Sequence, residues 1–502
     1  MDHILYRYKA SQVLRFLKEK KEDFWLKKRN ENSLKLFYQA ARHVPAYKDF
    51  LKKNKIDPGK IKTINDFQHV PPTSKENYLR KYPIEKINWD GSLDKPLVFT
   101  ATSGSTGEPF YFTRSNQLDW ESSIIHEFFL KNGSRKTDKP TLVIVGFGMG
   151  VWIAGLITYK AFELASQRGQ YPVSILTPGV NKEEILRAIR KLSPHYHQTI
   201  LVGYPPFIKD VIDDAKEEGI NLKKMNLRLL FAAEPFTENF RDHVCKEAGV
   251  DNLYLDSMNI YGTADIGTMA YETPLSILIR RLALKDEKIF NDIFPEVKKT
   301  PTLAQYNPLF INFEAPGGEI LITGNSSIPL IRYSVGDHGG VYSFGELEKI
   351  FEKHGVSLMS EAKKVKINKS ITELPFVYVY ERTDFSTTIY GLQIYPEYVR
   401  EALLDSKLSH HVTGKFALVT KFDKKHNQYL EINIELRKGK KAGPKIQKIA
   451  LDKIVNYLRS QSSEYKELSN HIGQRAYPKI VFWQAESPVY FKAGIKQRWV
   501  RQ

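Results

Sequence analysis

The chain has 502 residues, 42% hydrophobic and 26% charged, which is enough for two or three domains around a large core and argues against long disorder. A single cysteine, Cys245, excludes an internal disulfide and any multi-cysteine zinc centre, and fits a reducing cytoplasm. The net charge of +18 suits an anionic partner, but no zinc-finger, RNP or heptad-plus-basic pattern is present, so specific nucleic-acid recognition is not expected.

Met1 to Leu14 carries Arg7 and Lys9 and lacks the apolar block of a signal peptide. The stretch to about residue 70 is helical and basic; Leu34, Phe37, Tyr38 and Ala41 take the i, i+3, i+4, i+7 spacing of one helical face. A short helix over 48–54 follows His43-Val44-Pro45-Ala46-Tyr47, and Pro71, Pro72 and Ser74 mark a loop. From about 96 to 340, apolar strands at 97–101, 142–145, 173–176, 199–202, 227–232 and 319–323 alternate with helices such as 182–192, 206–218 and 237–247. This alternation predicts an α/β fold with parallel-rich sheets covered by helices.

Thr141 to Tyr159 is uncharged and close to the length of a membrane span. Gly146, Gly148, Gly150 and Gly155 divide it into a buried strand, a tight loop and a helix, so no span is expected. Residues 274 to about 312 interrupt the alternation and read as an insertion. After about 380 come alternating strands at 416–421 and 429–436, a helix over 444–458 and a strand over 479–483. That is a small α+β unit, so the expected organisation is a large N-terminal domain over 1–380 and a small mobile one over 381–502, with the boundary near Arg382.

Five segments carry chemistry. Thr100-Ala101-Thr102-Ser103-Gly104-Ser105-Thr106-Gly107-Glu108-Pro109 alternates hydroxyls and glycines directly after a strand. Its backbone N–H groups and hydroxyls can cradle phosphate oxygens, although a Ser/Thr/Gly surface loop has the same composition. GxxxxGK[ST] occurs nowhere in the chain, which disfavours a P-loop NTPase. In Asn259-Ile260-Tyr261-Gly262-Thr263-Ala264-Asp265, the tyrosine can stack on a base, Gly262 allows close approach, and Asp265 can hold Mg²⁺. In Pro329-Leu330-Ile331-Arg332-Tyr333-Ser334-Val335-Gly336-Asp337, Asp337 follows a glycine turn and can accept from ribose hydroxyls. Glu381-Arg382-Thr383-Asp384-Phe385 leads into Gly391-Leu392-Gln393-Ile394-Tyr395-Pro396, and the tail Phe491-Lys492-Ala493-Gly494-Ile495-Lys496 offers a lysine near a flexible end.

In this order the segments resemble the adenylate-forming superfamily of acyl-CoA synthetases, carrier-protein adenylation domains and luciferases. They are most similar to its phenylacetate–CoA ligase branch and capsule-biosynthesis relatives. His43-Val44-Pro45-Ala46-Tyr47, Pro71-Pro72-Thr73-Ser74-Lys75, Gly146-Phe147-Gly148-Met149-Gly150 and Ala232-Ala233-Glu234-Pro235-Phe236-Thr237 extend the likeness from about residue 30 to the end.

The resemblance implies that Thr102, Ser103, Gly104, Ser105, Thr106 and Gly107 hold the ATP β- and γ-phosphates. Ala233, Glu234 and Pro235 would line the adenine pocket, with Tyr261 and Gly262 beside them. Asp265 would bind Mg²⁺, Asp337 the ribose hydroxyls with help from Arg382, and Asp384 would be the hinge. Lys496, with Lys492 as its rival, would reach the α-phosphate.

The implied reaction joins a small carboxylic acid to AMP and passes the acyl group to a thiol, that of CoA or of a carrier protein. Transfer to an amine or a protein side chain, or a degenerate protein that binds nucleotide without turnover, are the alternatives. The family's pattern is broken at Glu108, where lysine is common, at Ala264, usually Thr or Ser, and at Asp265, usually Glu. Trp152, Tyr204 and Phe207 are candidates for an aromatic-friendly acid pocket.

Overall fold

The computed structural model describes residues 8–102, 110–295, 297, 300–382, 386–491 and 500–501. Its centre is an eleven-stranded sheet. One half is parallel and runs in the spatial order Ser257–Thr263, Leu227–Ala232, Gln198–Gly203, Thr141–Gly146, Val173–Leu176. Strands Thr141–Gly146 and Gln198–Gly203 are buried along their whole length, which explains their unbroken apolar runs. Helices Ile153–Gly169, Lys182–Lys191, Pro205–Glu217 and Glu238–Ala248 alternate with these strands.

The other half is antiparallel: Gly267–Tyr271, Thr302–Gln305, Phe376–Arg382, Leu330–Tyr342, Glu319–Gly324 and Ile311–Glu314. The stretch 274–312 is therefore not wholly an excursion from the fold. Its helices Pro274–Ala283 and Glu287–Ile293 leave the sheet, but Thr302–Gln305 returns as a strand between Gly267–Tyr271 and Phe376–Arg382. Four residues, all buried, gave too short a signal to set against the charged helix before them.

The N-terminal helices pack against this body. Helix Glu22–His43 buries Ser33, Leu36, Phe37 and Ala40, so its core face lies one position before the expected one, and Tyr38 is exposed. Ser33 can occupy the seam because its hydroxyl donates to the Arg29 carbonyl at 2.8 Å. Beyond residue 382, a separate four-stranded sheet has the order Lys479–Trp483, Gln428–Leu436, Val412–Phe422, Val500–Arg501. Helix Pro444–Gln461 packs on it, followed by helix Ser463–Ile472, which the sequence reading left out. No helix among the described residues is long and apolar enough to cross a membrane.

Candidate active site

In a parallel α/β sheet, loops leave from the carboxyl ends of the strands on one edge, and ligands bind along that edge. Here Thr141–Gly146 leads into the glycine-aromatic loop, Gln198–Gly203 into Tyr204, Leu227–Ala232 into Ala233-Glu234-Pro235, and Ser257–Thr263 into Asp265. Ala232 pairs with Ile260, so Ala233 leaves the sheet beside Tyr261. Ala233 is held at φ 74°, a left-handed conformation costly for a residue with a Cβ. The hydroxyl-glycine loop also starts here, since the Ala101 N–H donates to the Val151 carbonyl at 3.0 Å. Thr102 and Phe110 close the base of that loop: the Thr102 N–H donates to the Phe110 carbonyl, and the Phe110 N–H to Thr102 Oγ1.

Asp265 stands in the turn between Thr263 and Gly267 and is 7% exposed. Its Oδ1 lies 3.1 Å from Lys75 Nζ, and its Oδ2 accepts from the Tyr333 hydroxyl at 2.7 Å. Lys75 arrives from far away in sequence because 73–75 runs beside strand Leu330–Tyr342. The Thr73 N–H donates to the Arg332 carbonyl at 3.0 Å, and the Ser334 N–H to the Thr73 carbonyl at 2.8 Å. Gly262 serves the hairpin rather than a ligand: a Cβ there would lie 2.5 Å from the Gly267 carbonyl oxygen.

Asp337 lies inside strand Leu330–Tyr342, at an irregularity in its pairing with Glu319–Gly324, and not after a free turn. Its Oδ2 accepts from the Tyr261 hydroxyl at 2.5 Å, and its backbone pairs with Arg382 on the next strand. The structure thus brings Tyr261, Asp265, Asp337 and the Arg382 backbone to one edge, together with Thr102, Ala233, Glu234 and Pro235. Among the described residues no three His, Cys, Asp or Glu side chains form a metal cage. One carboxylate at Asp265 suits Mg²⁺, which takes one or two protein carboxylates and completes its shell with water and phosphate oxygens. Ser103, Gly104, Ser105, Thr106, Gly107, Glu108, Asp384, Lys492 and Lys496 lie outside the described residues, as does the Arg382 side chain.

Glu234 turns toward the C-terminal part. Its carboxylate accepts from the Gly391 N–H and from Gln428 Nε2, the latter at 2.8 Å, and burial pushes its pKa up to about 7. Around it, the Tyr390 hydroxyl donates to Asp210 at 2.9 Å, Arg475 reaches Asp210 at 3.3 Å and Asp214 at 3.1 Å, and Lys209 donates to Asn427 at 2.6 Å. Of the aromatic candidates, Trp152 borders a crevice of about 430 Å³, Tyr204 packs under Gly391, and Phe207 belongs to the core.

Lys75, Tyr333 and Gln428 are contacts of the site that the motifs by themselves do not mark. Lys75 and Tyr333 belong to the segments 71–75 and 329–337, and their pairing with Asp265 is a matter of topology that only the strand register reveals.

No protein-family model matches the chain. It is 24% identical to the phenylacetate–coenzyme A ligase of Aromatoleum evansii over 230 residues, 45% of this chain and 48% of that one. It is 23% identical to the phenylacetate–coenzyme A ligase of Thermus thermophilus over 227 residues, 44% and 46% of the two chains. The chain thus spans about half the length of the relatives it matches. A crystal structure of 2-hydroxyisobutyryl-CoA ligase in the thioesterification state superposes with a TM-score of 0.63 at 15% identity, covering 99% of this chain and 95% of that one. The same ligase in a postadenylation state gives 0.54 at 14% identity over the same shares. The fold is that of these 2-hydroxyisobutyryl-CoA ligase structures, and over somewhat less than half of its length the chain is similar to phenylacetate–coenzyme A ligases.

Proposed function

We propose that this protein is an AMP-forming acid–thiol ligase that activates a small carboxylic acid with ATP and transfers the acyl group to coenzyme A. The observation that carries this is the convergence of Thr102, Ala233, Tyr261, Asp265 and Asp337 on one sheet edge, with a cation, Lys75, beside the acidic turn. The higher similarity to a thioesterification-state structure agrees with an arrangement in which the small domain, over 381–502, faces the acceptor.

A carboxylate is a poor electrophile, so its oxygen attacks the α-phosphorus and pyrophosphate leaves with the old P–O bond. The Asp337 carboxylate accepts from the ribose hydroxyls, and the Tyr261 hydroxyl holds that carboxylate in place. The hydroxyl-glycine loop, with Ser103, Gly104, Ser105, Thr106 and Gly107, donates to the β- and γ-phosphates. Asp265 would hold Mg²⁺, which supplies charge neutralisation at the phosphates. Lys496 stabilises charge at the α-phosphate, with an expected contribution on the order of 10²–10³ in rate. Rotation of the small domain at Asp384 then exposes the acyl adenylate to the thiol. A cytoplasmic location, where ATP and CoA are available, is part of this proposal.

Pyrophosphate release with a panel of carboxylic acids, with hydroxylamine as trap and then with CoA, tests this. Acid-dependent release and a CoA thioester are expected. Release with hydroxamate but no thioester would move the acceptor to a carrier protein, an amine or a protein side chain. ATP binding without release for any acid would leave a non-catalytic nucleotide-binding protein.

A further inference from the structure

Asp210 lies on helix Pro205–Glu217 of the large domain and is buried. Its Oδ2 accepts from the Tyr390 hydroxyl at 2.9 Å and stands 3.3 Å from a guanidinium nitrogen of Arg475. Among the described residues its hydrogen bond and its ion pair thus both come from the small domain. The lysines near it are engaged elsewhere: Lys209 pairs with Asp213 and donates to Asn427, and Lys182 pairs with Asp214. Asp214 is one turn along the same helix face and takes a second nitrogen of Arg475 at 3.1 Å. The planar guanidinium spans two carboxylates four residues apart, which a compact lysine ammonium does less well. Arg475 is 44% exposed, and among the described residues its side chain bonds to these two carboxylates alone.

Tyr390 and Gly391 form the two-residue turn that joins Thr387–Ile389 to Leu392–Ile394. Both are left-handed, at φ 49° and 78°. Such a turn favours asparagine, aspartate or glycine at its first place, and a tyrosine there is costly. The Tyr390 ring is nevertheless buried, with its hydroxyl on Asp210, and the next N–H donates to Glu234. An unfavourable backbone is therefore kept where the side chain crosses the domain boundary, and contacts across that boundary offset its cost. A junction built of charged and hydrogen-bonding groups can also open without baring a large apolar face.

Resting on the ligase activity and the domain rotation proposed above, we propose that Arg475 and Tyr390 are positioning residues of the second half-reaction, which hold the small domain on Asp210 while the acceptor attacks the acyl adenylate. Neither touches the reacting atoms. When the small domain turns away for adenylation the two contacts break together, so they act on thioester formation alone. Because Arg475 is half-exposed, salt weakens its share.

The test uses Arg475→Ala, Arg475→Lys and Tyr390→Phe in the full chain. Pyrophosphate release with hydroxylamine and no CoA follows adenylation, and conversion of phenylacetyl-AMP and CoA to thioester follows the second step. A dye pair on Lys191→Cys and Lys448→Cys reads docking independently of chemistry; both positions are exposed and the native Cys245 is buried. In Arg475→Ala and Tyr390→Phe the docking constant and the thioester rate should each fall on the order of tenfold, with adenylation within about twofold of wild type. Arg475→Lys should recover part of both losses, and high salt should weaken docking in the wild type more than in Arg475→Ala. Equal losses in the two half-reactions, an unchanged thioester rate, or unchanged docking would overturn the assignment. Where the wild type releases no pyrophosphate with any acid and forms no thioester, the ligase reading fails; the dye pair then decides alone, a tenfold fall in docking sustaining the clasp and no change ending it.

Discussion

Replacing Lys75 by Met should separate the structural from the chemical part of the acidic turn. Two unit charges 3.1 Å apart attract by about 5 kcal/mol at an effective dielectric near 20. Desolvation of Asp265, whose side chain is 5% exposed, and the 27% exposure of Lys75 offset much of this. A net loss of about 1–3 kcal/mol is expected, with the Tyr333 hydroxyl still bonded to the carboxylate. Pyrophosphate release should fall on the order of 10²–10³-fold, because a cation is lost beside developing phosphate charge.

Thermal unfolding and an acid-dependent pyrophosphate assay, run on Lys75→Met, Asp265→Asn and the double variant, form a cycle. The double variant should regain stability, since no unpaired buried charge remains, but not activity. Wild-type turnover in Lys75→Met, or recovery of turnover in the double variant, would refute a role for these two residues at the phosphates.

Three further outcomes are expected. Tyr261→Phe removes one hydrogen bond to a buried carboxylate and should lower stability by about 1.5–3 kcal/mol and raise the KM for ATP more than tenfold; an unaltered KM would remove Asp337 from the ribose. Gly391 has φ +78° and a Cβ there would meet the Tyr204 ring at 2.1 Å, so Gly391→Ala should slow thioester formation but not adenylation, and an equal effect on both would contradict the docked arrangement. His243 of helix Glu238–Ala248 and His426 of the small domain have ring centroids 5.0 Å apart, and burial, then His426 and Lys209, lower the His243 pKa from 6.5. A base with a lowered pKa when docked stabilises docking above its free value, and that contribution is lost as pH falls through about 6.5. An intramolecular distance reporter should therefore show undocking as the pH falls below about 6.5, and His243→Asn should flatten the change; a flat wild-type profile would count against the histidine pair.

The parallel half of the sheet was legible because strands buried on both faces announce themselves as apolar runs between helices, and Leu227–Ala232 falls where expected; the edge strand Val173–Leu176, only partly buried, does so on its apolar composition. The antiparallel half was not. Thr302–Gln305 has four residues, and Leu330–Tyr342 carries three glycines and two charges that read as a turn. The motif residues Tyr261, Asp265 and Asp337 could be picked by chemistry and order. Their partners could not, since Lys75 meets Asp265 only through a bridge between residues 73 and 333. Helix Ser463–Ile472 is absent from the expected elements, although the Ser462 hydroxyl caps it by accepting from the Tyr465 N–H. The face of helix Glu22–His43 was misplaced by one position because of a buried serine satisfied by its own backbone.

Transfer of isotope from the acid to AMP tests the central claim most directly. With a carboxylic acid labelled with ¹⁸O in both oxygens, ATP and CoA, the attacking oxygen becomes the bridge of the acyl adenylate and leaves on the phosphate. Mass spectrometry should find one ¹⁸O in each AMP and none in pyrophosphate. Unlabelled AMP, or label appearing in inorganic phosphate with ADP, would contradict activation at the α-phosphorus.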